Sequence, residues 1–530
     1  MRQLITRRGA LLLGGAALAA PSVSRAQRID PRVLRFVPQA ALSITDPVSS
    51  LASVAVNHSF YVHDTLYGVD AQMRPKPQMA EGHSLSDDGL TWTIRLREGL
   101  LFHDGEPVRS RDCVASLRRW CSRDTFGRTL GAAVAEWQTP DDRTLLIKLS
   151  RPFPLLLEAL AKPGTSPAFV MPERFAATEA TKPITEVVGC GPYRFVADEF
   201  VPGTRAAYRK FDRYRPRDEA PEWTSGGKVA HFERVEWIVM PDQATAAAAL
   251  QAGEVDWWEQ VGADLIPVLR RHRDVTIGNG DPGGYMGVLR FNQLHPPFNN
   301  VKAREAVLVA IQQADFMGAV TNSDETAYRI CHSFFPCTTP YGRAPTPDPM
   351  ASPSMERAKA LLKESGYAGE KVVLLNPSDF ASITPFALIA NDLLQRIGFN
   401  VELVTTDWGS VLGRVAQRRP PAEGGWNVYP VWWTGMGIVT PGQNALIRGQ
   451  GDAGWAGWYD SKPMEALNDR WLSVPTEEER MRIGAEMQDL AFRDVPTVPL
   501  GQFFIRTAYR KSLTGMVEGP RPVPWNLRRA

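Results

Sequence analysis

The sequence predicts an α/β protein with two large lobes and a smaller α+β unit in its first half. Its 530 residues are too many for one hydrophobic core, because single cores stop growing near about 250–300 residues. Strand and helix patterns alternate as β-α-β in two stretches, one before about residue 280 and one after about residue 300, and parallel strands need such crossovers. The 42 prolines and 43 glycines are spread along the chain, which favours lobes that share the chain over separate modules on linkers.

Residues 1–26 have the composition of an export signal. The pair Arg7-Arg8 precedes an apolar run over residues 9–20, and a small-residue cleavage site follows at Ser24-Arg25-Ala26. Twelve apolar residues are too few to cross a bilayer core of about 30 Å. The arginine pair favours a twin-arginine signal. Because Ala10 stands where such signals usually carry phenylalanine, the general secretory route stays open.

The charge balance excludes two classes of partner. Removal of residues 1–26 takes away four arginines and no acids, so Lys plus Arg falls from 60 to 56 against 58 Asp plus Glu, and the formal net charge changes from +2 to −2. A near-neutral chain lacks the basic surface that binds nucleic acid or anionic lipid. After residue 26 no apolar run approaches membrane length. We therefore expect a soluble, exported protein with no nucleic-acid partner.

The α+β unit is predicted between residues 90 and 149. Residues 90–98 alternate apolar and polar side chains and include β-branched and aromatic types, which is typical of a half-buried strand. Helical spacing follows over residues 111–120, and residues 144–149 alternate again as a second strand.

The first β-α-β unit lies farther along the same half. Residues 235–239 predict a strand, and Asp242 is a good N-cap for an alanine-rich helix over residues 243–252. Gly253 stands where a glycine commonly ends a helix, and residues 255–258 resume extended structure.

The second half repeats this pattern. The predicted elements are a helix after Asn300 with inward-facing Val301, Val307, Leu308, Ile311 and Val320, a strand at 371–375, a helix at 386–397, a strand at 400–405 and a helix from Thr476 to about Arg493. Between the halves, residues 283–288 are glycine-rich yet apolar. This composition predicts a crossing strand that can bend as a hinge.

Five cysteines are few for a fold held together by disulfides. Cys113 and Cys121 fall on one predicted helix about 12 Å apart, too far for a bond. Cys331 and Cys337 are six residues apart and either close a small loop or stay as buried free thiols.

Several motifs resemble one family. Residues 86–119 contain an acidic-glycine turn, an alternating strand, an FHDG turn and a helix, and are similar to the signature block of the extracellular solute-binding proteins family 5. Further similar blocks, in the family's order, are residues 189–193 (GCGPY), 249–256 (ALQAGEVD), 291–306 and 494–500. Members of this family are the peptide-, nickel- and haem-binding components of ABC importers.

The resemblance implies a two-lobe periplasmic-binding-protein-like (type 2) fold. It places lobe I at residues 27–285 plus 500–530, with an inserted subdomain at about 55–185, and lobe II at residues 286–499. It also implies capture of a peptide-like or other small solute without chemistry. The implied protein is a periplasmic monomer, and its implied partners are inner-membrane permease subunits with cytoplasmic ATPases. No cofactor and no catalytic residue are expected.

Two other classes of function find weaker support. An exported α/β hydrolase would need a nucleophile motif, and neither GxSxG nor HExxH occurs; the GxGxxG match at residues 449–454 continues into further glycine rather than a helix. A nickel, haem or sugar ligand within the same family is the other alternative. His58, His63, His83 and His103 lack the spacing of a metal site, so we expect no metal ligand among them.

The predicted ligand site follows from strand ends. In open α/β sheets, ligands bind beyond the carboxyl ends of strands. The aromatic strand at residues 426–433 leads into Thr434 and Gly435 at its carboxyl end. Trp257 and Trp258 are predicted at the carboxyl end of the strand that follows the helix at residues 243–252. The predicted ligand-binding residues are Trp257, Trp258, Tyr285, Trp432, Trp433, Thr434, Gly435 and Met436.

Met436 separates this chain from the peptide binders it resembles. In those proteins an aspartate at the matching position pairs with the peptide's α-amino group, and a thioether cannot do so. Either another acid takes this role, with Asp256, Glu259 and Asp407 as candidates, or the ligand lacks a free amine. We favour the second alternative here, because a wall of Trp, Met and Gly suits stacking on an apolar group or a sugar ring.

Overall fold

The computed structural model describes residues 30–474 and 476–530. The predicted export signal lies outside these residues. The described chain forms two large mixed sheets and a smaller antiparallel sheet, flanked by helices. No described helix has both the length and the apolar composition to cross a membrane.

The first large sheet has seven strands. Their order across the sheet is Tyr193–Phe195, Arg205–Lys210, Arg234–Ile238, Val33–Val37, Trp257–Val261, Arg506–Arg510 and Val275–Asn279. Val33–Val37 pairs in parallel with both of its neighbours, and the helix Gln243–Ala252 makes the crossover. Asp242 accepts a hydrogen bond from the Thr245 amide at this helix's start, and Gly253 ends it in the left-handed conformation.

The second large sheet has six strands. Their order is Tyr328–Arg329, Thr497–Phe503, Tyr285–Phe291, Val428–Thr434, Lys371–Pro377 and Asn400–Thr406. Lys371–Pro377 pairs in parallel with Asn400–Thr406, and the helix Thr384–Ile397 makes this crossover. Tyr285–Phe291 and Val428–Thr434 are buried throughout, as expected for strands covered on both faces.

The α+β unit is an antiparallel sheet of four strands. Their order is Ala80–Leu85, Thr91–Leu96, Thr144–Leu149 and Val134–Gln138. The helices Ser110–Cys121 and Thr125–Ala133 pack near it and bury the free thiols of Cys113 and Cys121. Both strands and the helix predicted in this unit are confirmed.

Smaller elements complete the fold. The remaining helices are Ser53–Val62, Leu156–Ala161, Glu173–Ala176, Ile266–Arg270, Val301–Leu308, Gln313–Thr321, Met355–Glu364, Trp408–Val415, Lys462–Ser473 and Glu477–Asp494, and the remaining strands are Asp64–Thr65, Tyr67–Val69, Pro75–Pro77, Phe169–Val170, Leu513–Thr514 and Arg528–Arg529. The single helix predicted after Asn300 is two helices. The second begins at Gln313. The buried side-chain amide of Gln313 forms hydrogen bonds with the backbone of Cys331 and Pro499, which holds the break between the two helices in place.

The chain crosses between the large sheets twice. The first crossing segment, residues 280–284, leads into the strand Tyr285–Phe291, and the second, residues 504–505, follows the strand Thr497–Phe503. A lobe boundary at residue 500 would fall inside that strand. The division of the chain into lobes otherwise stays a prediction. Cys331 and Cys337 form a disulfide, which decides between the two alternatives for this pair.

Candidate functional site

A cleft of about 710 Å³ lies between the two large sheets. One wall is made by residues that follow the strands Val33–Val37 and Trp257–Val261. The other is made by residues that follow Lys371–Pro377 and Asn400–Thr406, and the second crossing segment closes the back. All four strands meet the cleft at their carboxyl ends, the edge at which open α/β sheets bind ligands.

Aromatic packing holds the wall of the second sheet. Phe380 lines the cleft and packs edge-on against Trp408 and Trp432, with ring centroids 5.1 and 5.7 Å away. The Trp432 indole donates to Ser382 Oγ at 2.9 Å. Asp407 accepts from the Ser410 amide and starts the helix Trp408–Val415. These contacts hold in place the loops that line this side of the cleft.

A second, inner cavity of about 240 Å³ adjoins the cleft. The strand Trp257–Val261 lies between them along part of their length. Because successive side chains on a strand point to opposite faces, Trp258 and Gln260 line the cleft, whereas Trp257 and Glu259 line the inner cavity. Gln39 lines both spaces.

Two carboxylates line the inner cavity, that of Asp281 buried and that of Glu259 partly buried. Glu259 accepts from the Gln39 amide at 2.8 Å and from Asn57 Nδ2 at 2.9 Å. Asp281 Oδ1 accepts from the Gly283 amide at 2.8 Å, and Asp281 Oδ2 has no hydrogen-bond partner within the described residues. Burial raises the pKa of both carboxyl groups to about 7, against the smaller opposing effects of these hydrogen bonds.

The Arg521 guanidinium is also buried beside this cavity. It donates to the carbonyls of Pro163 and Gly164, at 3.1 and 2.6 Å. Burial lowers the pKa of Arg521, and the fields of Asp281, Tyr285 and Glu259 oppose this effect. Its hydrogen bonds therefore hold the backbone, and it acts on the carboxylates through space.

The profile of the bacterial extracellular solute-binding proteins, family 5 Middle, matches residues 74–455. The chain belongs to this family. It is 36% identical over 532 residues to the probable peptide ABC transporter periplasmic-binding protein y4tO of Sinorhizobium fredii, with 98% of each chain covered.

Solved structures show the family 5 fold. The chain is similar to DppA from Helicobacter pylori in complex with the peptide STSA, with a TM-score of 0.79, 20% identity, and 94% and 98% of the two chains covered. It is similar also to AgaA of A. tumefaciens R10 in complex with agropinic acid, with a TM-score of 0.78, 23% identity, and 94% and 99% covered. The predicted two-lobe fold and family are thus confirmed.

The predicted ligand-binding residues of this family 5 protein divide into two groups. Trp258 lines the cleft, and Trp257, Tyr285 and Thr434 line the inner cavity. The other four lie behind the surfaces of these two spaces: they are Trp432, Trp433, Gly435 and Met436. Contact of either group with a ligand stays a prediction.

The second group shapes the site from behind. Trp432 packs edge-on against Tyr285, with centroids 4.6 Å apart, and Trp433 packs against Trp455 at 5.0 Å. Met436 lies against the first crossing segment so closely that a Cβ on Gly283 would be 2.5 Å from the sulfur. Gly435 donates to the Gly284 carbonyl at 2.6 Å. These residues join the sheet to the crossing segment.

The three candidate acids occupy different environments. Asp256 forms an ion pair with Arg529 at 2.8 Å and accepts from the Arg35 amide, so it is a structural group. Asp407 lines the cleft but caps a helix. Only Glu259 of the three lies in the inner cavity.

Sequence reasoning missed Asp281, Arg521, Asn57 and Gln39. Asp281 begins a DPGG turn immediately before the predicted hinge, and this turn was the available signal. Arg521 is 240 positions from Asp281 in the chain, and no local pattern marks such a contact.

The remaining motifs have structural environments. His58, His63 and His103 are hydrogen-bonded to Tyr208 Oη and to the carbonyls of Val170 and Gly191, and burial lowers their pKa values to about 3, 4 and 3. Within the described residues, no group of three or more His, Cys, Asp or Glu side chains is placed to hold a metal ion. Residues 449–454 form a loop with a short 3-10 turn.

Proposed function

We propose that this protein is the periplasmic component of an ABC importer and captures a peptide-like solute between its two lobes. The cleft between the large sheets is the observation that carries this proposal. Its volume of about 710 Å³ falls within the 300–1,000 Å³ that is usual for small-molecule sites. The 36% identity to a probable peptide-binding relative over almost the whole chain supports the ligand class.

Capture is coupled to closure of the lobes. A ligand that touches residues of both walls, such as Gln260 and Ser382, gains the second set of contacts only when the lobes are closed. Binding therefore shifts the equilibrium between open and closed states towards the closed state. The two crossing segments absorb the backbone rotation, as hinge residues do.

The closed, loaded protein then delivers its solute to a membrane permease driven by ATPases. Export directed by the predicted signal at residues 1–26 brings the protein to the periplasm. The protein holds its solute without changing it, and no catalytic residue is proposed.

Two experiments test this proposal: identification of the bound solute, and a substitution in the cleft that lowers its affinity for the solute. We expect mass spectrometry of the purified protein to detect bound peptides of two to five residues. Trp408→Ala removes an aromatic wall of the cleft and should lower the affinity for these peptides about tenfold, since aromatic contacts dominate binding energy. Calorimetry measures the change.

Trp137→Ala is the matched control. Trp137 is also partly buried, but it lies on an outer strand of the four-stranded sheet. An equal loss of affinity in both variants, or peptides recovered in cleaved form, would contradict this proposal.

A further inference from the structure

The inner cavity contains negative charge that the protein leaves unpaired. Asp281 is 6% exposed, and its Oδ2 atom meets no donor within the described chain. Nor does any described Lys, Arg or His nitrogen come within 4.0 Å of the Asp281 or Glu259 carboxylate. A buried unpaired carboxylate costs several kcal/mol, so its presence beside an accessible cavity needs an explanation.

Arg521 does not supply the missing partner. Its hydrogen bonds go to the Pro163 and Gly164 carbonyls and, at 3.4 Å, to Asn57 Oδ1. With both acids ionised, two carboxylates face one guanidinium, and the cavity carries a net charge of about −1. One added cation would make it neutral.

The other walls suit a small cationic group. Thr434 is buried, and its Oγ1 has no hydrogen-bond partner within the described residues. The aromatic side chains of Trp257 and Tyr285 line the same space, and aromatic faces attract cations. The volume of about 240 Å³ exceeds the roughly 150 Å³ that accommodates benzene in an engineered cavity. The space therefore accepts the end of a ligand but not a whole peptide.

We infer that Asp281, with Glu259 and Thr434, binds an ammonium group at the first crossing segment, and that the end of the captured solute reaches it from the cleft past Gln39, which lines both spaces. This inference rests on the proposed capture of a peptide-like solute. It replaces the expectation of an amine-free ligand, which was drawn from Met436, because a different acid now faces the ligand. The pKa of Asp281, raised to about 7 by burial, is consistent with a site that ionises fully when the cation arrives.

Asp281 also links the ligand to the hinge. Its Oδ1 atom accepts from the Gly283 amide, and Gly283 in turn contacts Met436 on the second sheet. An ammonium group bound to Oδ2 would therefore lie against the segment that joins the two sheets.

The experiment uses peptides of two to five residues from a casein hydrolysate, either unblocked, acetylated only at the α-amino group, or acetylated at every amine. Retained peptides are measured by mass spectrometry after equilibration with wild-type protein and with Asp281→Asn. Asn keeps the acceptor for the Gly283 amide, so the turn is preserved. Glu254→Gln is the matched control, since it removes an equal charge at an exposed position.

We expect wild type and Glu254→Gln to lose roughly tenfold or more in affinity when the relevant amine is acetylated, because hydrogen bonds to charged groups are strong. Asp281→Asn should bind acetylated and unblocked peptides alike. If affinity falls when only the α-amino group is blocked, the terminus is the source of the ammonium; if it falls only on full acetylation, a lysine side chain is.

The inference is overturned if Asp281→Asn keeps the wild-type preference for unblocked peptides, or if wild type has none. The thermal midpoint of unfolding is recorded for every variant. If Asp281→Asn unfolds at a much lower temperature than wild type, Glu259→Gln is tested in its place. A wild-type preference for unblocked peptides in Glu259→Gln would then overturn the inference. Failure of wild type to retain any peptide in any form would instead contradict the proposed capture of peptides.

Discussion

Buried carboxylates in this protein occur in two kinds of environment. Away from the inner cavity, Asp46, Asp64 and Asp124 each contact a buried cation: Arg119 at 2.6 Å, Lys228 at 2.7 Å and Lys162 at 2.5 Å. In the inner cavity, Asp281 is buried and Glu259 is partly buried, but neither forms an ion pair within the described residues.

The pKa values of Asp46 and Asp281 show the difference. Burial raises the pKa of Asp46, but hydrogen bonds from Arg119 and from backbone amides outweigh it, so the pKa of Asp46 is lowered. At Asp281 one backbone hydrogen bond does not outweigh burial, and the pKa rises to about 7. Burial alone therefore does not mark a candidate ligand site, whereas a buried acid without a partner in the described residues does.

Removal of a cation from the first group should have the largest effect. Lys228→Met leaves Asp64 as an uncompensated buried charge, and breaking a buried pair in this way costs about 3–5 kcal/mol. Thermal unfolding followed by circular dichroism measures the loss. The double variant Lys228→Met with Asp64→Asn should recover part of it; no recovery would show that packing, rather than charge, causes the loss.

Removal of the Asp281 carboxylate should stabilise the protein instead of destabilising it. Asp281→Asn discards an unpaired charge, so we expect the ligand-free protein to gain roughly 1–3 kcal/mol at pH 8, where the wild-type group is ionised. The same unfolding measurement tests it. A destabilisation comparable to that of Lys228→Met would remove the distinction between the two groups of acids.

The pH dependence of this gain follows from the raised pKa of Asp281. Between about pH 4, the ordinary value for aspartate, and pH 7, the folded protein holds a proton that the unfolded chain has released. Wild-type stability therefore falls through this window as pH rises, and the advantage of Asp281→Asn grows. The buried histidines act in the opposite direction as pH falls below about 6.5, but both proteins share that effect. A difference that stays constant from pH 4 to 8 would contradict the raised pKa.

The smallest effect is expected at Thr434. Thr434→Val replaces a hydroxyl that has no hydrogen-bond partner in the described chain with a methyl group of similar shape, so stability should change by less than about 1 kcal/mol. The affinity for unblocked peptides should fall a few-fold, because one oxygen of the cavity is lost. Calorimetry on the same peptides measures this. Unchanged affinity would show that Thr434 lies outside the ammonium site.

Local signals predicted the elements well. The strand at residues 144–149 and the helix at residues 243–252 match the structure at both ends, because alternation, an aspartate N-cap and a terminal glycine are all read within a few positions. The rule that ligands bind at carboxyl strand ends also indicated the edge of both sheets at which the cleft lies, although Trp257 and Trp258 begin the strand Trp257–Val261 rather than end one.

The orientation of the site residues could not be predicted in the same way. Val428–Thr434 is buried at all of its positions, so it has no polar face to show which side chains point to the cleft. Trp432 and Trp433 were therefore predicted as wall residues although they lie behind it. The electrostatic effect of Arg521 on Asp281 depends on how segments far apart in the chain pack together. No local sequence pattern predicts this packing.

The order of strands in the first sheet has a consequence for synthesis. Arg506–Arg510 lies between Trp257–Val261 and Val275–Asn279, and Arg529 pairs with Asp256. A segment made after every strand of the second sheet thus fills an interior place in a sheet that begins with Val33–Val37. The first sheet, which supplies Glu259 to the inner cavity, therefore cannot be completed until the strands of the second sheet have been synthesised.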